Sequence, residues 1–116
     1  KDVAAKEIGS ERVVIESMPD RKVDDLRALM DVLIKKQKVA AAILASGGER
    51  PAFVIGVRED LIAKGLKAGD LAKEVGKAAG GGGGGREFQA QAGAGDASKV
   101  PAGLLKFEEL VRAKLA

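Results

Sequence analysis

A run of six consecutive glycines, at positions 80–85, constrains the fold of this chain more than any other feature. Only residues 86–116 follow it, and they are too few to form a second domain with its own core. Because both flanks carry apolar patterns typical of one core, we interpret the run as a loop inside a single domain and not as a flexible linker. Ordering a glycine costs about 0.5–1 kcal/mol more than ordering an alanine. A run of this length therefore indicates positive φ angles or a very close approach of another backbone.

The composition excludes several classes of function. The chain has 116 residues, of which 46% are hydrophobic and 32% charged, as is typical of one globular domain. It contains no His and no Cys, so the usual neutral-pH base, the thiolate nucleophile, the disulfide framework and the commonest metal ligands are missing. We therefore expect no catalytic residue, no metal site and no cofactor. The net charge of +3 permits a nucleic-acid partner without requiring one.

The first half of the chain shows a strand, a helix and two further strands. Residues 1–9 resemble the end of a helix that begins upstream, and the absence of an initial Met suggests a piece of a longer protein. Residues 12–18 alternate as a strand does, and Asp20 is positioned to cap an amphipathic helix over residues 22–38. Two unbroken apolar runs, residues 39–45 and 52–57, predict a buried hairpin of central strands.

The second half adds a helix, a strand and a final helix. The patterns predict a helix over residues 70–79, a strand over residues 89–92 and a helix from Ser98 to Leu115. The predicted fold class is α/β, a single domain over residues 10–116 whose mixed sheet of about four to five strands packs with about three helices. No apolar run is long enough to cross a membrane, and we expect a cytoplasmic protein.

The glycine run does not fit the known phosphate loops. Such loops lead from a strand into a helix and place Lys and then Ser or Thr after the last glycine, whereas this run follows a predicted helix and precedes Arg86 and Glu87. The mechanism that is left for binding an anion is a nest of loop N–H groups beside Arg86. Lys73 and Lys77, on the preceding helix, add positive charge, although single lysines on a helix face usually serve only solvation.

Phe88 is one of only three aromatic residues in the chain. Its ring could stack on a nucleobase. A lone Phe beside a strand is more often a core residue, and we expect Phe88 to be buried. Carboxylates that neighbour each other along the chain, such as Glu108 and Glu109, point apart on a helix, so a catalytic pair of carboxylates is not expected.

The segment AAGGGGGGREFQAQAG, residues 78–93, resembles the signature of the DHH-associated domain at the C-terminus of alanyl-tRNA synthetases. In that family a helix leads into a glycine-rich stretch, followed by a basic residue and then by Ala-Gln and small residues. The matching positions here are Gly80, Gly81, Gly82, Gly83, Gly84, Gly85, Arg86, Ala90, Gln91, Ala92 and Gly93. The stretch Lys67-Ala68-Gly69-Asp70-Leu71 is also similar to the family pattern.

The resemblance implies a tRNA-binding domain of an alanine–tRNA ligase. In the family this domain contacts the elbow of the tRNA and helps one tRNA serve both aminoacylation and editing, whose active sites lie upstream. The implied partners are tRNA, in particular tRNA-Ala, and the upstream domains of the synthetase. The implied RNA-binding residues are the six glycines with Arg86, Gln91, Lys73 and Lys77. A monomer without enzymatic activity of its own is the expectation for this segment.

Two other interpretations stay open. DHH-type phosphoesterases share the fold and use a similar domain to bind substrate, but their glycine loop is typically followed by His, where this chain has Arg86. A structural or dimerising module without an RNA partner is also compatible with the modest net charge. Binding of tRNA, compared with binding of short oligonucleotides, separates the three.

Overall fold

The computed structural model describes residues 5–115, within which strands and helices alternate. The strands are β1 (Lys6–Ile8), β2 (Glu11–Ser17), β3 (Ala41–Ala45), β4 (Ala52–Val57), β5 (Gly83–Gly85) and β6 (Gln89–Gly93). The α-helices are α1 (Val23–Asp31), α2 (Glu59–Ile62), α3 (Ala68–Ala78) and α4 (Val100–Leu115). A π-helical turn, Val32–Lys36, extends α1, and a 3-10 turn, Ala97–Lys99, precedes α4. No helix within residues 5–115 has both the length and the apolar character that a membrane crossing demands.

The six strands form one mixed sheet in the order β1-β2-β3-β4-β6-β5. Strands β2 and β3 are parallel, and α1 makes the crossover between them. The other neighbouring strands are antiparallel. The glycine strand β5 therefore lies at one edge of the sheet, and β1 lies at the opposite edge.

Apolar side chains cover both faces of the two central strands. Every residue of β3 is buried, because alternate residues enter two different clusters. The larger cluster packs Ile43, Phe53 and Ile55 against α3 and α4, with Phe107 and Val111 of α4 fully buried. The smaller cluster lies on the other face, where Leu44 and Val54 pack against α1. The unbroken apolar runs 39–45 and 52–57 are explained by this burial on two sides.

The structure confirms the predicted single α/β domain with a mixed sheet, and it adds two short strands, β1 and β5, which at three residues each are too short to produce a recognisable periodicity. The four-residue helix α2 lies in the connection that precedes α3. The expected helix end over residues 1–9 is wrong for residues 6–8, which form β1 and bury Ile8 in the larger cluster. Residues 1–4 lie outside the described part of the chain.

Two predicted helix caps are also replaced by neighbouring residues. Helix α1 begins after Lys22, whose N–H donates to the Asp25 carboxylate at 3.4 Å, so Asp20 is not the cap. Ahead of α4, the Asp96 carboxylate accepts a hydrogen bond from the Ser98 N–H at 2.8 Å. Asp96 therefore caps the 3-10 turn that leads into α4, whereas Ser98, the expected cap, lies inside that turn and donates its N–H to Asp96.

Candidate nucleic-acid interface

The glycine run combines a turn with a strand. Gly80 follows α3 with a φ of +80°, in the region that favours glycine, and turns the chain back along the helix. Residues 83–85 then pair with β6, where Gly84 lies opposite Gln91 and Gly83 opposite Ala92. The expectation of a loop throughout residues 80–85 is therefore wrong for its last three residues. Because three glycines carry no side chains that could alternate between apolar and polar, the sequence pattern could not predict this strand or its pairing with β6.

Successive glycines of this segment point to opposite sides of the sheet. A Cβ placed on Gly83 would overlap the carbonyl oxygen of Ala72 in α3. A Cβ placed on Gly82 or Gly84 would have no heavy atom within 4 Å. The run therefore has one set of positions packed against the domain, Gly83 on α3 and Gly81 and Gly85 on β6, and another set open to the surroundings.

Helix α3 contributes glycines of its own to this close approach. A Cβ on Gly69 would lie 2.6 Å from the carbonyl oxygen of Gly85, and one on Gly76 would lie 2.5 Å from the carbonyl carbon of Gly82. The backbones of α3 and β5 thus touch at both ends of the strand. The predicted close approach of another backbone occurs inside the domain, for part of the run.

The other side of β5 and β6 forms a surface that we call the open face. Ala90 and Ala92 of β6 are buried toward α3, so the intervening residues of β6 point the other way, and α1 packs on β3 and β4. The open face consists of Gly82, Gly84, Gln89, Gln91 and Gly93. Its side chains are two uncharged amides between three positions that lack a Cβ. This composition exposes backbone and hydrogen-bonding groups of the sheet over an area with little side-chain cover.

Arginines lie at both ends of the open face. At one end, an open cleft of about 440 Å³ is lined by Arg27 of α1 and Arg86 together with Gln89 and Gln91. At the other end, a cleft of about 520 Å³ is lined by Arg50, from the turn between β3 and β4, by the three glycines that precede β5 and by Gly93 of β6. The guanidinium of Arg27 is 3.7 Å from the Asp24 carboxylate, an exposed contact that is worth little in water.

The structure brings some of the predicted site residues together and separates others. Gly82, Gly84, Gln91 and Arg86 adjoin the open face or its cleft. Gly81, Gly83 and Gly85 are packed against backbone atoms of the domain itself. Lys73 and Lys77 are exposed on α3, which covers the opposite face of the sheet, and Lys77 lies 3.7 Å from the Glu74 carboxylate. The two lysines therefore lie on the opposite side of the sheet from the open face.

Phe88 is exposed, so the expectation of a buried ring is wrong. It is 54% exposed in the bend between β5 and β6, where the chain leaves the alternating pattern that would turn it inward. The Cζ atom of Arg86 lies 5.9 Å from the centre of the Phe88 ring, within the range of a cation–π contact. Sequence reasoning also missed Arg27, since only the fold brings a residue of α1 to this cleft.

Two ion-pair networks with shifted pKa values serve the fold. Arg58 donates hydrogen bonds to Asp60 and to Glu11, which raises the pKa of its guanidinium and lowers the pKa of Asp60. Hydrogen bonds from Arg112 and Lys6 lower the pKa of Glu108. These ion pairs connect α2 to β2 and α4 to β1, so their chemistry is structural.

Comparison with known proteins places the domain in a family. The family model of the DHHA1 domain matches residues 10–113, nearly the whole chain. The chain belongs to the DHHA1 family. This confirms the resemblance carried by residues 78–93, and the match covers the elements on both sides of that segment.

Curated relatives of this DHHA1 domain include bacterial alanine–tRNA ligases. The chain is 38% identical over 110 residues to the enzyme of Fusobacterium nucleatum, and 36% identical over 111 residues to that of Myxococcus xanthus. These matches take in 95% and 93% of the chain but only 13% and 12% of the relatives. The chain therefore spans a small part of the length of the curated relatives that it matches.

Two solved structures share the fold. The C-Ala domain from Aquifex aeolicus alanyl-tRNA synthetase matches with a TM-score of 0.78 and 30% identity, over 97% of this chain and 98% of that one. A DHH-domain protein described as a member of a family of ribosomal proteins matches with a TM-score of 0.69 and 14% identity, over 98% of this chain and 28% of that one. The second likeness concerns the fold alone.

Proposed function

We propose that this DHHA1 domain binds tRNA as the C-terminal domain of an alanine–tRNA ligase. It contacts the elbow of the tRNA, so that one bound tRNA can serve aminoacylation and editing by the upstream domains. The observation that carries this proposal is the open face, where Gly82, Gly84 and Gly93 leave the sheet without Cβ cover between clefts that contain arginines. The similarity to the Aquifex C-Ala domain supports it.

The open face suits the backbone of a folded RNA. Without Cβ atoms at Gly82 and Gly84, phosphates and riboses could lie in direct contact with the face of the sheet. The amides of Gln89 and Gln91 offer both donors and acceptors, which suit 2′-hydroxyls as well as base edges. Such a surface recognises the shape of RNA more than its sequence, and the structured elbow of tRNA is a target of that kind.

The remaining predicted residues act from the margins of this surface. Arg86 supplies a planar cation with several donors, which is suited to a phosphate. Lys73 and Lys77 would reach phosphates that pass around the β5 edge. Gly81, Gly83 and Gly85 contribute by holding β5 against α3 and β6, so that the open glycines stay in place.

The domain acts by binding, without chemistry of its own. Aminoacylation and editing belong to the upstream domains of the ligase, which are its partners in the same chain. Taken alone, the segment is a monomer, and the parent enzyme functions in the cytoplasm, where tRNA is charged. With about three to five phosphates neutralised, the binding constant should fall with salt with a log–log slope of roughly −2 to −4.

Fluorescence anisotropy with three labelled RNAs tests the proposal. The probes are tRNA-Ala, an unstructured RNA of the same length and an acceptor-stem hairpin that lacks the elbow. We expect the tightest binding to tRNA-Ala, with weaker binding to both other RNAs at the same salt concentration. Equal affinity for the tRNA and the unstructured RNA would exclude recognition of a folded RNA, and equal affinity for the hairpin would exclude the elbow.

A further inference from the structure

Phe88 is an aromatic side chain that the fold leaves more than half exposed. Within residues 5–115 it is one of two large hydrophobic residues that are exposed, at 54%, and the other is Leu105 of α4, at 69%. Leu105 stands on the outer side of a long helix, where a single apolar residue is ordinary. Phe88 instead stands at the mouth of the cleft that ends the open face.

Phe88 borders two clefts, and the one that ends the open face is polar and positively charged. The other, of about 640 Å³, is mostly apolar and includes Met30 and Ile34 together with Glu59. Arg86 lies over the ring at 5.9 Å, and the cleft that ends the open face also contains Arg27, Gln89 and Gln91. Among the described residues that line this cleft, none has a carboxylate. The adjoining Glu87 is neutralised in part by Lys67, whose Nζ lies 3.4 Å from its carboxylate.

This combination matches the chemistry of an unpaired nucleobase. A base offers a flat apolar face to an aromatic ring, polar edges to amides and an attached phosphate to arginine. An apolar peptide segment would leave the guanidinium and amide groups of the cleft without partners, which is costly when they are covered. The charge and the lining of the cleft that ends the open face therefore favour RNA over a hydrophobic protein segment in that cleft.

We propose that Phe88 is a stacking platform for one unpaired base of the bound RNA, which stacks on the ring face opposite Arg86, with Gln89 and Gln91 facing the polar edge of that base. This proposal rests on the proposed binding of tRNA, to which it adds a site for a base that has left the helical stack. Stacking of this kind tolerates any of the four bases, because each has a flat π face. The platform strengthens binding without selecting a sequence.

The absence of Trp and Tyr from the sequence makes a direct optical test possible. The variant Phe88→Trp has a single indole at the platform, and Leu105→Trp is the matched control with a single indole on α4. Each variant is titrated with tRNA-Ala and with an unstructured RNA of twelve nucleotides. We expect both RNAs to quench the fluorescence of the Phe88→Trp variant, and neither to quench that of the Leu105→Trp variant at the same concentrations.

The variant Phe88→Leu tests whether RNA binding needs the flat aromatic ring or only an apolar side chain at this position. Loss of one stacked base should weaken tRNA binding by about 5- to 100-fold, whereas Leu105→Ala should leave it unchanged. Because Phe88 is exposed, the melting temperature of the Phe88→Leu variant should stay close to that of the parent domain. Unchanged affinity in the Phe88→Leu variant would overturn the platform.

The outcomes also distinguish the two proposals. If the parent domain binds tRNA, but Phe88→Leu does not weaken that binding, the platform is wrong and the tRNA-binding function stands. If both RNAs quench the Phe88→Trp variant, but the parent domain does not prefer the tRNA, recognition of folded tRNA fails and the platform stands. Quenching by neither RNA, or equal quenching of both Trp variants, overturns the platform.

Discussion

Neighbouring glycines of β5 have different roles because successive residues of a strand point to opposite faces of the sheet. Gly83 meets the backbone of α3, while Gly82 and Gly84 meet nothing within 4 Å. Glycine therefore allows close packing against α3 at position 83, and at positions 82 and 84 it leaves the surface of the sheet accessible to a ligand. Substitution by alanine can separate the two roles, since it adds a single Cβ atom.

The double substitution Gly82→Ala/Gly84→Ala should weaken tRNA binding and leave the fold intact. The added methyl groups would stand between the RNA and the peptide groups of β5 without meeting any atom of the domain. Neither glycine has a positive φ, and alanine costs the unfolded chain less entropy, so the melting temperature should stay constant or rise slightly. Anisotropy with tRNA and thermal melting of the same sample measure the two effects.

The single substitution Gly83→Ala is the matched control. Its Cβ would overlap the Ala72 carbonyl oxygen, so the unfolding free energy should fall by about 1–3 kcal/mol, as in other overpacked sites. Two results would contradict the assignment of packing to Gly83 and of RNA access to Gly82 and Gly84. One is a melting temperature of the double variant as low as that of Gly83→Ala, and the other is normal tRNA binding by the double variant.

Arg86 should contribute one phosphate contact. We expect Arg86→Ala to weaken tRNA binding and to reduce the log–log salt slope by about one, because one cation is removed from the interface. Arg86→Lys should restore the slope but only part of the affinity, since an ammonium lacks the planar fork of donors and stacks less well beside Phe88. Salt titrations of the three proteins would refute this if all gave the same slope.

At the scale of elements, the contact between α3 and β5 positions the open face. Gly69 and Gly76 lie one above the other on α3 at a spacing of seven residues, and both meet the backbone of the glycine strand. This spacing could have been noticed in the sequence, but nothing there identifies the partner. The helix itself was predictable from its periodicity, whereas a strand of three glycines carries no side chain by which its pairing could be recognised.

The substitution Gly76→Ala should destabilise the domain, against the usual effect of this change in a helix. In a helix interior, Gly→Ala commonly stabilises by about 0.5–1 kcal/mol. Here the new Cβ would lie 2.5 Å from the carbonyl carbon of Gly82, so β5 must shift or the helix must tilt. We expect a loss of about 1–3 kcal/mol in a denaturant titration, together with weaker tRNA binding. A gain in stability would show that α3 does not hold the glycine strand.

At the scale of the whole molecule, burial explains what the sequence could and could not predict. The central hairpin and α4 carry strong apolar patterns because both strands are covered on two faces and Phe107 and Val111 enter the core. The candidate surface has no such pattern, since its glycines lack side chains and Arg27 reaches it only through the fold. Phe88 illustrates the difference, because its residue type suggested burial and its bend between two strands exposes it.

The isolated domain should have no catalytic activity. The chain contains four serines and no His that could activate one of them, and it contains no Cys. Purified domain incubated with tRNA-Ala, alanine and ATP should yield no aminoacylated tRNA, and it should not hydrolyse alanyl-tRNA faster than buffer. Turnover proportional to the concentration of the domain would contradict this expectation.

The most direct test of the central proposal is the amide NMR spectrum of the 11.9 kDa domain during addition of tRNA-Ala. If the open face binds the RNA, the largest changes should occur at Gly82, Gly84, Arg86 and Gln91. The amides of α4 near Leu105 should change little. Changes centred on α4 or β1, with the open face unaffected, would contradict the proposal that this glycine surface binds tRNA.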